Sequence, residues 1–214
     1  MSPVQGIRTP RGVLYRIGRL PDPGAFPPWH VQGHGRFDDP QREFRVLYAA
    51  AQRRGAFIET LARFRPLVAA LARLEEVVGA DESLPRGTVP SHWYQRHAVV
   101  RLRVRPGQRW LDLRAPPTRE ALRTELAATL LTFGFSDLDL GHVLGPAQAL
   151  TQAISRWAHQ HGYAGLAYSS RLDAKLTLWA LFEGAAFEPI GEPDPITPED
   201  PDLAATARLY GLLV

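Results

Sequence analysis

The stretch GRFDDPQREFRVLYAAAQRRGAFIETL, residues 35–61 of the 214-residue chain, holds a turn, a strand and the start of a helix in one run. Phe44, Val46 and Tyr48 alternate with Arg45 and Leu47, the period of an extended strand with one buried face. Arg53, Arg54 and Gly55 interrupt that period. Beyond them Phe57, Leu61 and Phe64 recur at helical spacing until Pro66 stops the run. Glu59 is therefore expected near the beginning of a helix, one short connection beyond Tyr48, with Arg36 ahead of the strand. A guanidinium, a phenol and a carboxylate from this single stretch can converge on one ligand.

Outward from there, GVLYRIGRL (12–20) reads as a first strand, with Val13 and Tyr15 on one face and Leu14 and Arg16 on the other. Arg16 is thus carried on a rigid element, and the proline-rich 21–29 must be a loop. On the C-terminal side, PLVAALARLEEVV (66–78) places Leu67, Leu71, Leu74 and Val78 on one helical stripe, and 79–90 reads as a connection. Ala98, Val100, Leu102 and Val104 alternate with Val99, Arg101 and Arg103, a strand with one wet face. Pro106-Gly107 predicts a turn that makes 109–113 its hairpin partner. Pro116-Pro117 end that strand, and Thr118 is the expected N-cap of a helix through Leu131 with Leu122, Leu126 and Leu130 inward. Residues 133–145 read as a capped loop. Pro146 opens a helix at N1 that Gly162 closes. Residues 163–170 and 176–182 are strand-like, 188–202 is acidic and proline-rich, and a last helical piece spans 203–213. That tail is expected to wrap the surface. Strands near both ends, helices between them and a hairpin in the middle lack strict βαβ alternation, which predicts an α+β domain.

Composition narrows the chemistry. Basic residues number 25 against 22 acidic ones, for a net charge of +3, and Lys175 is the sole lysine. So small and scattered a surplus suits an anionic small molecule as well as an acidic partner or nucleic acid. The row Arg101, Arg103, Arg105 is the best nucleic-acid candidate, but it has no interleaved aromatics, and a solvated sheet face is the simpler reading. With no cysteine, disulfides, thiolate metal sites and a cysteine nucleophile all fall away. No apolar run is long enough for a membrane span, and MSPVQGIRTPRG lacks the apolar stretch of a secretory signal, so cytoplasmic residence is expected. Neither a P-loop, a GxGxxG turn nor a GxSxG elbow is present. Asp137 and Asp139 stand without a further ligand at useful spacing, and His159 and His161 point in different directions on a helix, so no metal is expected.

Six segments, LYRIGR (14–19), GRFDDP (35–40), FRVLYAA (44–50), AFIETL (56–61), GLAYSSR (165–171) and LWALFE (178–183), follow one another in an order that resembles the RES domain family. The family takes its name from an arginine, a glutamate and a serine, matched here by Arg16, Glu59 and Ser170. Tyr48 and Arg36 match a further aromatic and a second arginine. The resemblance runs from about Leu14 to Glu183. It implies an α+β, ADP-ribosyltransferase-like RES fold with mixed central β-sheets flanked by helices. On that reading a RES domain covers 1–184, with a helical and hairpin insertion at about 66–145, and 185–214 form the tail. The long segment between Glu59 and Ser170 sets the chain apart from compact members.

For function the resemblance implies NAD as substrate, without a metal: an NAD glycohydrolase or phosphorylase acting as the toxin of a toxin–antitoxin pair, with a helix-turn-helix (Xre-like) antitoxin as partner. A protein mono-ADP-ribosyltransferase is the near alternative. An inactive pocket, or a nucleic-acid-binding module using the Arg101 to Arg109 face, is the distant one, and homo-oligomerisation stays open. Cleaving the nicotinamide–ribose bond passes through an oxocarbenium-like state, which a carboxylate beside the ribose stabilises. Glu59 is the candidate for that role. Arg16 and Arg36 would hold the pyrophosphate in bidentate fashion, with Tyr15 beside them. Tyr48 would stack on the nicotinamide or fix its ribose, and Ser170 would make one orienting hydrogen bond rather than act as a nucleophile. Each residue has a plainer reading: a strand-edge arginine, a glutamate facing a helix N-terminus, a core tyrosine, a turn serine.

Overall fold

The computed structural model describes residues 6–7, 9–10, 12–69 and 87–214. The chain opens with β1 (Gly6–Ile7) and β2 (Val13–Arg19), passes through a long loop, and enters β3 (Val46–Ala50) and α1 (Arg53–Leu61). Further on come β4 (Gly87–Thr88), α2 (Ser91–Gln95), β5 (His97–Val104) and β6 (Trp110–Asp112). Helices α3 (Pro116–Glu125), α4 (Ala127–Thr132), α5 (Leu140–Leu144) and α6 (Gln148–Gln160) follow. The last part holds β7 (Gly165–Ser169), β8 (Thr177–Phe182), β9 (Phe187–Pro189), β10 (Asp194–Pro195), α7 (Pro201–Tyr210) and β11 (Leu212–Leu213). The expected helix over 66–78 lies, beyond residue 69, outside the described residues.

The main sheet is mixed and runs β1-β6-β7-β8-β3-β2-β5-β10, with β9 also on β5; β6 and β7 are parallel and the other pairs antiparallel. This corrects the expected hairpin. Residues 105–109 do connect β5 to β6, yet those strands stand five steps apart in the sheet. Five steps across a flat sheet cover about 24 Å, whereas the connection reaches at most about 21 Å. The sheet must curl, and its inner face shows how: Trp110 of β6 packs in one cluster with Leu102 and Val104 of β5, Leu14, Leu47 and Trp179. Trp110 meets Trp179 edge-on, with ring centroids 5.4 Å apart.

The opposite face carries the larger core. Val46, Ala50, Phe57, Leu61, Leu122, Ile154, Tyr168 and Leu203 join α1, α3, α6 and α7 to the sheet. Each such fully buried aliphatic or aromatic side chain contributes about 1.5–3 kcal/mol. Leu122, Leu126 and Leu130 face inward as expected, but the helix breaks at Leu126, whose φ of −103° and ψ of 14° separate α3 from α4. Pro116 and Pro117 do not end a strand; they open α3, where a missing N–H costs nothing, and Ala115 rather than Thr118 is the N-cap. Similarly α6 starts at Gln148, after Pro146. Residues 185–214 add to the main sheet and core: β9 and β10 pair with β5, α7 packs against α1, and Leu203 is buried. There Arg53 reaches both Asp200 (2.6 Å) and Asp202 (2.7 Å).

Candidate active site

The turn ahead of β3 is built around Asp38, which is buried. Its Oδ2 accepts from the backbone N–H of Gly33 (3.0 Å) and Gly35 (2.8 Å), and its Oδ1 accepts from the Tyr48 hydroxyl (2.7 Å). The Tyr48 oxygen in turn accepts from the Phe37 N–H (2.9 Å). A Cβ on Gly35 would lie 2.6 Å from both the Asp38 carboxylate and the Tyr48 oxygen, so only glycine lets the turn close on the phenol. Burial, followed by the Asp38 charge, holds the Tyr48 phenol protonated well beyond its ordinary range. Tyr48 thus offers a ligand its ring, its hydroxyl being committed.

The same turn positions Arg36. Its guanidinium donates to the carbonyls of Val143 (2.7 Å) and Leu144 (3.3 Å), the negative end of α5. Burial, then the Arg171 charge, lowers its pKa, while Tyr168, Glu59 and Tyr48 act in the opposite sense.

Glu59 lies in the last turn of α1, not the first, because Arg53 and Arg54 begin the helix and Gly55 sits inside it. Gly55 is accommodated there because a side chain would press the Ala50 Cβ at 3.1 Å. The helix-dipole reading of Glu59 is thereby lost, since a carboxylate near a C-terminus gains nothing from the dipole. What holds it is Ser170, just beyond β7, whose hydroxyl donates to Oε1. The serine oxygen also accepts from the backbone N–H of Leu172 (3.0 Å) and Asp173 (3.2 Å), which fixes the direction of its own hydrogen. Burial pushes the Glu59 pKa up, against the Ser170 hydrogen bond and the charges of Arg171 and Arg36, and burial prevails.

Arg16 occupies a break in the sheet. β2 and β3 share one register pair, Tyr15 with Ala50, and then diverge. Into the gap Arg16 donates from Nε to the Pro23 carbonyl (3.0 Å) and from Nη1 to the Tyr48 carbonyl (3.1 Å). Burial alone brings its pKa down to about 10, and among the described residues no carboxylate forms an ion pair with it.

The gap opens into a cavity of about 820 Å³, within the roughly 300–1,000 Å³ of small-molecule sites. Tyr15, Arg16, Arg36, Tyr48 and Glu59 all line it. Ser170, 1% exposed, stands behind Glu59 and does not line it. Arg16 and Glu59 form no ion pair with each other; the guanidiniums that Glu59 feels are those of Arg171 and Arg36. Sequence reasoning passed over Asp38, whose cue was the glycine three residues before it. It also passed over Tyr168, a cavity residue two places before Ser170 whose pKa burial raises. The arginine row left as a nucleic-acid candidate faces the acidic tail instead: Arg105 pairs with Glu188 (3.1 Å) and Arg101 approaches Asp194 (4.0 Å). Asp139 caps α5 together with His142, and Asp137 pairs with Arg123. Among the described residues no helix is long and apolar enough to cross a membrane.

The fold resembles a chain in the crystal structure of the M. tuberculosis MbcT-MbcA toxin-antitoxin complex, with a TM-score of 0.60 at 16% identity, covering 96% of this chain and 92% of that one. No curated protein matches. The model of the RES domain matches residues 13–205, nearly the full length, with Arg16, Glu59 and Ser170 inside it. The chain belongs to the RES domain family.

Proposed function

We propose that the protein consumes NAD by breaking the bond between nicotinamide and its ribose, and that it acts as the toxin of a toxin–antitoxin pair. The observation that carries the reading is Glu59: a half-buried carboxylate held by Ser170 at a cavity that also holds Arg16, which has no counter-ion among the described residues. The RES family match and the toxin–antitoxin complex named for the structural neighbour support the cellular role.

In this reading the pyrophosphate lies between the guanidiniums of Arg16 and Arg36, whose planar forks suit phosphate oxygens. The Tyr48 ring offers an apolar face to the nicotinamide. As the glycosidic bond lengthens, positive charge grows on the ribose, and the Glu59 carboxylate opposes it. Partial burial strengthens that attraction because less water competes for the carboxylate. Ser170 holds Oε1 from behind, so the orientation of the carboxylate is in place before the substrate arrives. A carboxylate whose pKa is raised is also a better base toward an incoming acceptor hydroxyl. The acceptor is water or phosphate.

Purified protein incubated with NAD, with and without phosphate, is expected to release free nicotinamide, and Glu59→Gln to release it about 100-fold or more slowly. Absence of nicotinamide from protein shown to be folded and free of any inhibitor overturns the reading. Label transferred from NAD to lysate proteins instead assigns the chain to the ADP-ribosyltransferases.

A further inference from the structure

Three cationic or ionisable side chains, Arg19, Arg63 and His97, line the cavity, and both arginines act on the histidine ring through their charge. Arg19 and His97 are register partners on β2 and β5, which puts their Cβ atoms about 4.5–5.5 Å apart on one face. Arg63 joins them from the 3₁₀ turn that follows α1. All three line the cavity, and among the described residues neither arginine has an ion-pair partner. Two guanidiniums beside one imidazole disfavour its protonation, and an anion among them would reverse that effect.

His97 is oriented for a role. Its Nδ1 lies 2.6 Å from the Trp93 carbonyl, so Nδ1 carries the hydrogen, and among the described residues Nε2 has no hydrogen-bond partner. The ring stacks on Trp93 of α2, with centroids 4.9 Å apart and planes at 21°, which fixes where Nε2 points. Burial, then the charges of Arg19, Arg63 and Arg16, favour the neutral ring against the Trp93 carbonyl. The loop over the cavity adds Asp22, tied to its own Gly24 N–H at 3.2 Å, and His30. Among the described residues, four arginines (Arg16, Arg19, Arg36, Arg63) and two carboxylates (Asp22, Glu59) line the cavity. Arg16 and Arg36 each hold two backbone carbonyls. Arg19 and Arg63 are in surplus.

We propose that Arg19, Arg63 and His97 form a second anion subsite in the cavity, one that takes a phosphate-class dianion and acquires a proton on His97 Nε2 as it does so. The occupant is either free inorganic phosphate or a phosphate monoester carried by the dinucleotide itself. Only this last arm rests on the NAD reading above. Binding couples to protonation because the neutral ring presents a lone pair toward the anion, whereas imidazolium presents a donor. Affinity is therefore highest at acid pH and declines as pH rises through the His97 pKa of the complex, roughly tenfold per unit by which the anion raises that pKa.

The test reads the His97 ring resonances by NMR while the full chain is titrated with sulfate, whose charge is constant between about pH 5.5 and 8, and then with phosphate. Expected are saturable shifts, tighter binding at the lower pH, and loss of at least about tenfold in affinity in both Arg19→Gln and Arg63→Gln. Glu59→Gln is expected to keep the sulfate response while losing nicotinamide release, so failure of the subsite and failure of the NAD reading give different results. NADP that binds more tightly than NAD and competes with sulfate assigns the subsite to the monoester. Equal affinity for the two, with sulfate bound alongside NAD, assigns it to free phosphate. Ring shifts that chloride reproduces, or that persist unchanged in Arg63→Gln and Arg19→Gln, overturn the proposal.

Discussion

Ser170 and Glu59 are 111 residues apart in the chain, and the serine hydroxyl donates to the glutamate carboxylate. The same oxygen accepts two backbone N–H groups, from Leu172 and Asp173. Ser170→Ala removes all three bonds at once. The expected cost is about 1–3 kcal/mol in urea unfolding, because two donors lose their acceptor. The hydrogen bond lowers the Glu59 pKa, so its loss also moves the acidic limb of the nicotinamide-release profile to higher pH. A limb that stays in place would show that Ser170 does not tune the acid.

Burial raises Glu59 above the ordinary carboxylate range, which sets the sign of two effects. Nicotinamide release is expected to fall as pH drops through that raised pKa, since in the proposed reaction the carboxylate is the working form. Stability runs the other way. Between the unfolded and folded pKa values the native state holds more protons, so stability declines as pH rises through that window. Glu59→Gln is therefore expected to melt at a higher temperature than the parent at pH 7 while losing turnover. Calorimetry beside a nicotinamide assay checks both.

Arg16→Lys keeps the charge and loses the fork. An ammonium has no fixed geometry with which to span the Pro23 and Tyr48 carbonyls together. Nucleotide affinity is expected to fall at least about tenfold, with an unfolding loss of about 1–2 kcal/mol from the carbonyl left unmet. Calorimetric titration with ADP-ribose, which needs no turnover, measures the first.

Asp200 caps α7 by accepting from the Asp202 and Leu203 N–H groups, and it holds Arg53 of α1. Burial works to raise its pKa, but the Arg53 hydrogen bond, the Leu203 N–H and the Arg53 charge together lower it. A depressed aspartate contributes stability above its unfolded pKa and loses it as pH falls through the folded one. Asp200→Ala is expected to cost about 1–3 kcal/mol at pH 7. The difference from the parent should vanish in acid, below the range where aspartates protonate. Denaturant midpoints at several pH values decide it.

Much of this fold could be read from the chain, and the misses have physical causes. The strand expected at 44–48 is displaced to 46–50 because the buried Gln32 amide exchanges two hydrogen bonds with Val46, imitating a neighbouring strand at the start of β3. Pro106-Gly107 announces a turn but carries no information about which strands flank it. Trp110 pairs instead beside Gly165 because a curled sheet brings β6 there. Arg101 and Arg105 looked available because their acidic partners lie some 80 to 90 residues later. At the site, Glu59 and Ser170 were singled out through the resemblance, and the structure joins them by a hydrogen bond. That the serine grips the glutamate from behind, and that Tyr48 spends its hydroxyl on Asp38, depends on three-dimensional contacts that spacing does not encode.

The one-rung junction between β2 and β3 has an evolutionary reading. Where a neighbouring peptide would ordinarily answer the Tyr48 carbonyl, a side chain does so. Arg16 is a surrogate for missing backbone as well as a cation on display. Selection on architecture alone would retain it, even in descendants that had given up catalysis. Its persistence among relatives would thus report an intact wall and not, by itself, turnover.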